Sequence, residues 1–82
     1  MKQIEWTGVA IEDMAALDRA IARRVKQTVE RFAATGAGNV KRLQGIDPPQ
    51  YRLRVGDYRV RFHRQGETIQ VLRVRNRREA YR

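Results

Sequence analysis

Apolar residues in the first half of the chain recur at the spacing of an α-helix. One apolar stripe, with positions i, i+4, i+8 and i+11, consists of Ile21, Val25, Val29 and Phe32. Because these positions lie on one side of a helix, the pattern predicts an amphipathic helix with one buried face. Asp18 is the expected N-cap of this helix, and Gly36 and Gly38 are expected to end it.

Two shorter elements are predicted ahead of that helix. Residues 2–6 alternate loosely between polar and apolar side chains, which predicts a strand. Thr7 is a suitable N-cap for a short helix over residues 9–16, with Met14 and Leu17 on one face. The two helices together predict a helical hairpin.

The second half of the chain alternates with the period of β-strands. A loop is expected to continue through Asp47-Pro48-Pro49, after which strands are predicted over residues 51–55, 58–62 and 68–75. Gly56-Asp57 predicts a two-residue hairpin turn between the first two of these strands, and Gln65-Gly66 predicts a second turn.

The alternation in the last strand shifts phase between Val71 and Leu72, which fits either a β-bulge or burial on both faces. Together the elements predict an α+β fold in the order β-α-α-β-β-β. Its helical hairpin packs on one face of a four-stranded, mainly antiparallel sheet. Since the sequence contains no repeat, low-complexity tract or linker, residues 1–82 are expected to form a single domain.

The composition excludes several classes of site. The chain has 82 residues, no Cys and one His. A disulfide scaffold, a thiol nucleophile and a zinc site with Cys or several His ligands are therefore ruled out within one chain, and we expect neither metal nor cofactor. No apolar run approaches the roughly 20 residues of a membrane-spanning helix, and no signal-peptide segment is recognisable. We expect a cytoplasmic protein with no membrane partner.

Positive charge is concentrated in the second half of the chain. The 18 Lys and Arg residues against 9 Asp and Glu residues give a formal net charge of +9. Residues 1–40 hold six bases and five acids, whereas residues 41–82 hold twelve bases and four acids. All bases except Lys2, Lys26 and Lys41 are Arg, whose planar guanidinium pairs with two phosphate oxygens. This distribution favours RNA or DNA as a partner.

The predicted two-residue turn decides which side chains share a face of the hairpin. The residues of one face are Arg52, Arg54, Arg59, Arg61 and, at the strand end, His63. Like charges directly opposite one another destabilise a sheet by up to about 1 kcal/mol per pair. Binding of a polyanion would offset this cost, so the face predicts a nucleic-acid site. The bases that would widen it are Arg73, Arg75, Arg77 and Arg78.

RNA cleavage is the chemistry that such a face could support without a metal. RNA carries its own nucleophile, the 2′-hydroxyl. Cleavage therefore needs a base for that hydroxyl, an acid for the departing oxygen and positively charged groups that stabilise the pentacovalent phosphate. Arginine supplies the charge but is a poor base, since its pKa stays above ~12. The candidates for proton transfer are Tyr81, Glu79 and His63.

Three segments of the second half form a recognisable pattern: residues 41–45 (KRLQG), 51–60 (YRLRVGDYRV) and 74–81 (VRNRREAY). Together they resemble the RelE/ParE superfamily of bacterial toxins from toxin–antitoxin operons. The predicted β-α-α-β-β-β order agrees with that superfamily over essentially the whole chain. The ending resembles the RelE branch, ribosome-dependent messenger-RNA endonucleases, more than the ParE branch, which poisons DNA gyrase.

The resemblance implies an active site formed by Arg52, Arg54, Arg59, Arg77 and Tyr81. These residues would orient the message in the ribosomal decoding site, stabilise the transition state and assist proton transfer. The remaining basic positions, expected to bind RNA, are Arg61, Arg73, Arg75, Arg78 and His63. The best-known members carry Lys at the positions of Arg52 and Arg54. Because Arg can hardly act as a base, more of the proton transfer is expected to fall on Tyr81 or another group.

The resemblance implies a toxin of a type II toxin–antitoxin system that cuts messenger RNA on the ribosome and so inhibits translation. The alternatives are a ParE-like gyrase inhibitor that cleaves no RNA, and a non-toxic nucleic-acid-binding relative. The implied partners are the ribosome with its message and a small cognate antitoxin. An acidic or amphipathic segment of the antitoxin would cover the basic face, and the two proteins could form hetero-oligomers.

Overall fold

A five-stranded sheet and three helices make up the computed structural model, which describes residues 2–80 and the side chains of residues 2–78. The elements in chain order are β1 (Gln3–Trp6), α1 (Gly8–Ala15), α2 (Arg19–Thr35), β2 (Asn39–Arg42), β3 (Tyr51–Val55), β4 (Tyr58–Gln65), β5 (Thr68–Asn76) and α3 (Arg77–Ala80). The α+β class and the order of the predicted elements are confirmed.

The two long helices begin and end where the local sequence indicates. The Thr7 hydroxyl accepts a hydrogen bond from Ala10 N at 3.1 Å, and the Asp18 carboxylate accepts one from Ala20 N at 3.2 Å, so both predicted N-caps are confirmed. Gly36 ends α2 in a left-handed conformation with φ 76°. Among the described residues, no helix is both long and apolar enough to cross a bilayer.

The sheet has the strand order β1-β5-β4-β3-β2, with β1 parallel to β5 and every other pair antiparallel. The prediction of four strands is wrong, because Asn39–Arg42 forms a fifth strand in a region expected to be a loop. This strand is four residues long and turns one apolar side chain, Val40, towards the core. Four residues are too few to show a clear alternation of apolar and polar side chains, so the strand is recognised only through its pairing with β3.

The phase shift in β5 is a β-bulge. Arg61 pairs with Arg73 and Phe62 pairs with Val71, which leaves Leu72 without an opposite residue in β4. The extra residue restores the alternation, so that Val71 and Val74 both face the core although they are three positions apart. Of the two explanations that the sequence left open, the structure supports the bulge.

The core lies between the helices and one face of the sheet. In α2 the predicted stripe is confirmed, since Val25, Val29 and Phe32 are buried and Ile21 packs against them. The buried residues that the sheet contributes are Leu53, Val55, Val60, Phe62, Ile69, Val71 and Val74. Because successive side chains alternate between the faces of a sheet, the intervening arginines project from the face opposite the core.

The edge of β5 beyond the end of β1 is covered by α1. The Asp13 carboxylate accepts a hydrogen bond from Val74 N at 2.9 Å and forms an ion pair with Arg73 Nε at 3.0 Å. Asp13 thereby satisfies a strand N–H that no neighbouring strand reaches. It also neutralises one arginine of the sheet.

We expect Asp13→Ala to lower the free energy of unfolding by about 1–3 kcal/mol, because Val74 N would lose its acceptor in a partly buried position. Asp13→Asn retains a side-chain oxygen for Val74 N and should lose less. Urea unfolding of both variants measures the difference. Equal losses in the two variants would assign the effect to the Arg73 ion pair instead of the strand edge.

Candidate nucleic-acid interface

Seven basic side chains share the outer face of the sheet, because strand register places them opposite one another. One row across the strands contains Lys41, Arg52, Arg61 and Arg73, and the next contains Arg54, Arg59 and Arg75 beside Asn39. We refer to these seven residues as the basic face. With strands ~4.8 Å apart and rows two residues apart, their Cα atoms fall within an area of about 14 by 7 Å. Such density of like charge suits a polyanion.

The pairing of β3 with β4 is the one predicted from the two-residue turn. Arg54 lies opposite Arg59, and Arg52 lies opposite Arg61. β5 adds two further like-charged pairs, Arg59 with Arg75 and Arg61 with Arg73. Each such pair opposes folding by a fraction of a kcal/mol to about 1 kcal/mol. Four adjacent pairs are therefore difficult to explain by folding stability alone.

Arg59 lies at the centre of the basic face and is only 5% exposed. Its Nη1 atom donates to the carbonyl oxygens of Gly56 and Tyr58, both at 3.3 Å, while its buried Nε has no hydrogen-bond partner. No carboxylate among the described side chains lies within ion-pair distance of it. A buried cation with an unused donor is costly, and an anionic ligand would remove that cost.

Two residues of the β2–β3 loop, Pro49 and Gln50, contact side chains of β4 at the first row of the basic face and at its border. Gln50 Oε1 accepts a hydrogen bond from Arg61 Nη2 at 2.8 Å. His63 Nδ1 lies 3.1 Å from the Pro49 carbonyl oxygen. Because a carbonyl can only accept, Nδ1 carries the proton, and in the neutral ring Nε2 keeps its lone pair. The loop thus holds both the guanidinium and the imidazole in place.

The other predicted site residues lie in different surroundings. Arg73 belongs to the basic face, but its charge is paired with Asp13. Arg77 begins α3, where its backbone N–H donates to the Asp57 carbonyl at 2.6 Å and fixes it beside the β3–β4 turn, at the Arg54 and Arg59 end of the face. Arg78 is exposed on α3. Tyr81 and the side chain of Glu79 lie outside the described part of the chain.

Lys41 and Gln50 are the residues of this surface that the sequence analysis did not select. Lys41 joins the basic face because β2 pairs with β3, and β2 was not predicted. The local sequence carried one usable signal for Gln50, its position directly before a strand of alternating arginines. Arg61, which it contacts, is 11 residues further along the chain, so the contact exists only once the chain has folded.

The chemistry available on the basic face is electrostatic. Its guanidinium groups can hold phosphate oxygens and can stabilise charge that develops on a pentacovalent phosphate. Among residues 2–78, His, Asp and Glu side chains form no group of three that could hold a metal ion. Of the predicted candidates for proton transfer, His63 lies at the border of the basic face.

The α+β fold, with a mixed five-stranded sheet, is similar to that of solved RelE and YoeB toxins. The structure matches that of the RelB–RelE antitoxin–toxin complex from Methanococcus jannaschii with a TM-score of 0.77 and 25% identity over 94% of each chain. It matches the RelE–RelB complex from Pyrococcus horikoshii with a TM-score of 0.77 and 22% identity, over 93% of this chain and 94% of that chain. It also matches the structure of the YoeB dimer from Staphylococcus aureus with a TM-score of 0.71 and 16% identity, over 88% of this chain and 92% of that chain.

The family model described as "ParE toxin of type II toxin-antitoxin system, parDE" matches residues 4–81. The chain belongs to this family, within the RelE/ParE superfamily of type II toxins, as the sequence resemblance indicated. No curated protein matches the sequence at a significant level.

Proposed function

We propose that this toxin is a ribosome-dependent endoribonuclease that cuts messenger RNA without a metal ion. The 2′-hydroxyl loses its proton to a base and attacks the adjacent phosphorus, which forms a 2′,3′-cyclic phosphate; the bond to the 5′-oxygen breaks, and this oxygen leaves with a proton from an acid. The observation that carries the proposal is the buried cation of Arg59 at the centre of the basic face, which has no carboxylate partner among the described side chains and a buried Nε without a hydrogen-bond partner. An arrangement that opposes folding in the free protein is typical of a functional site, where a bound ligand compensates the cost.

The described residues of the proposed active site have positions that fit the roles proposed for them, and the role of Tyr81 comes from the resemblance alone. Arg59 and Arg54 would bind the scissile phosphate and stabilise its transition state, and Arg77 would contribute charge from the start of α3. Arg52 would bind an adjacent phosphate of the message. Tyr81 would assist proton transfer.

Proton transfer is assigned to more than one candidate. Tyr81 is the candidate implied by the RelE resemblance, and Glu79 is the second. His63 is the third: its Nδ1 lies 3.1 Å from the Pro49 carbonyl oxygen, which can only accept, so Nε2 is the ring nitrogen available for proton transfer. It lies two residues beyond Arg61 along β4, at the border of the basic face, which favours contact with a neighbouring nucleotide over contact with the scissile phosphate.

The proposed partners are the ribosome with its message and a cognate antitoxin. The matched structures from M. jannaschii and P. horikoshii are antitoxin–toxin complexes, which supports an antitoxin for this chain too. Two features would attract an acidic or amphipathic segment: the basic face, and the exposed apolar side chains Val9 (46% exposed) and Ile11 (56% exposed) of α1. A segment that binds only the folded toxin would also stabilise it.

A second candidate function is inhibition of DNA gyrase without RNA cleavage. The observation that favours it is the match of residues 4–81 to the ParE family model.

The proposed cytoplasmic location fits both functions, because ribosomes and gyrase share that compartment in bacteria.

A pair of assays separates these functions. In a translating extract, we expect the purified protein to cleave a reporter message at positions occupied by ribosomes, with no cleavage of the same RNA when ribosomes are omitted. In a supercoiling assay, we expect no cleaved DNA–gyrase complexes. Intact message together with cleaved DNA complexes would replace the ribonuclease with the gyrase inhibitor. Salt-dependent RNA binding without either activity or growth arrest would indicate a non-toxic relative.

A further inference from the structure

The exposed side of α2 carries a second group of cations, separate from the basic face. It consists of Arg19, Arg23, Arg24, Lys26 and Arg31, and we refer to these five residues as the α2 surface. All five are exposed, and no carboxylate of the described side chains lies within ion-pair distance of any of them. Glu30 is the only acidic residue within the helix itself.

The helical period aligns the central part of this group. Arg19, Arg23 and Lys26 occupy positions i, i+4 and i+7, roughly 100° around the helix from the buried stripe of Val25 and Val29, and the exposed Glu30 follows Lys26 at i+4. At a rise of 1.5 Å per residue, these three positions extend over about 10 Å, and the whole of α2 over about 25 Å. Apart from Glu30, the exposed charges along α2 are positive, which is the electrostatic pattern of a nucleic-acid-binding helix.

The composition of the α2 surface favours a sugar–phosphate backbone over a protein or a membrane. Between the bases lie Ala20, Gln27 and Ala34, with no large apolar or aromatic side chain. Protein interfaces have aromatic and apolar residues at their centre, and helices that bind membranes insert such residues. In the described part of the chain, the exposed large apolar residues are Val9 and Ile11, which belong to α1.

The two cationic regions meet at the β3–β4 turn. The Gly56 carbonyl accepts hydrogen bonds from Arg54 Nε at 3.4 Å and from Arg59 Nη1 at 3.3 Å. On the helix side, the Arg24 guanidinium lies so close to Gly56 that an added Cβ would be 3.2 Å from its Nη1 atom. Positive charge therefore continues from the outer face of the sheet, around this turn, to α2.

We propose that the α2 surface is a second nucleic-acid site, which binds the sugar–phosphate backbone of a folded RNA while the basic face holds the message. The choice of RNA over DNA rests on the proposed function, since an enzyme that acts on ribosomes meets folded RNA around its substrate. Binding to the α2 surface itself requires no cleavage and no ribosome.

Two variants with the same loss of charge test the proposal. Arg23→Gln/Lys26→Gln removes two cations from the α2 surface, and Gln preserves helix propensity. Lys2→Gln/Arg42→Gln removes two cations from outside both the α2 surface and the basic face. Binding of each variant to a labelled RNA hairpin is measured between 50 and 200 mM salt. An equally long DNA duplex and a poly-glutamate competitor are measured in parallel.

We expect the slope of log K against log salt for the RNA hairpin to become shallower by about 2 in the α2 variant, at about 0.9 per lost phosphate contact. The Lys2/Arg42 control should keep the parent slope. Equal slopes in the two variants would overturn the proposal, because net charge alone would then explain the binding. An equal loss for the DNA duplex would overturn the assignment to RNA. If poly-glutamate displaced the hairpin from the parent protein while the salt slope of the α2 variant stayed at the parent value, the α2 surface would be assigned to an acidic protein instead of RNA.

These measurements use isolated RNA and do not depend on cleavage. If the parent protein binds the hairpin through α2 but cuts no message, the proposed function fails and this inference stands. If the protein cuts message and the salt slopes of the α2 variant and the Lys2/Arg42 control agree, the proposed function stands and this inference fails.

Discussion

Replacement of Arg59 with Met is expected to abolish message cleavage and, at the same time, to make the protein more stable. The Arg59 side chain is 5% exposed and lies between Arg54 and Arg75 in the sheet register. Hydrophobic replacement of buried charged groups at similar volume has stabilised proteins by roughly 1–4 kcal/mol. The same guanidinium, directed at a phosphate, would contribute about 100- to 1,000-fold to the rate, as single transition-state donors do. Urea unfolding and initial cleavage rates in a translating extract measure the two effects.

Two further variants control this result. Arg59→Lys keeps the buried charge but loses the planar fork, so it should show reduced cleavage and no gain in stability. Arg54→Met removes an exposed cation and should reduce cleavage with little change in stability. An Arg59→Met protein that still cuts message, or one that is inactive because it is less stable than the parent, would contradict the role given to this residue.

Truncation of Phe62 to Ala is expected to cost about 3–5 kcal/mol of folding free energy, the range measured for buried aromatic residues. Phe62 is 1% exposed and its ring centroid lies 5.4 Å from that of Phe32 and 5.5 Å from that of Tyr51. A chain of 82 residues has a total stability of roughly 4–12 kcal/mol. The loss is therefore a large part of the total, and we expect a substantial unfolded fraction at 37 °C by circular dichroism.

The matched control is Val9→Ala, which shortens an apolar side chain that is 46% exposed on α1. Its effect on unfolding should stay within about 0.5 kcal/mol. If Phe62→Ala were no less stable than Val9→Ala, the core would not be centred on the contact between β4 and α2.

The register of the arginine hairpin could be predicted from the sequence because a two-residue turn leaves the two strands little choice of pairing. Gly56 and Asp57 are the turn residues, and every pair from Val55 with Tyr58 to Arg52 with Arg61 lies where that turn places it. β2 could not be predicted in the same way. Val40 is the one residue of the four that is partly buried, so β2 exists through its hydrogen bonds to β3.

Along the chain, Arg54, Arg59 and Arg73 are equivalent: each is a polar position in an alternating strand. In the structure they differ. Arg54 is exposed near the edge of the sheet, Arg59 is buried in a central strand, and Arg73 is paired with Asp13, 60 residues away. Burial and counter-charge depend on side chains that come from distant segments, and no local pattern contains that information.

The sequence by itself therefore determined the helices with their caps, the hairpin with its register, the family and the concentration of arginine on one face. These follow from short-range geometry and from the alternation of side chains about the backbone. The tertiary structure decided how many strands the sheet has, that Arg59 is buried with no carboxylate partner among the described side chains, and how the two cationic regions meet at Gly56. Those properties arise only when strands and helices that are far apart in the chain pack together and exclude water between them.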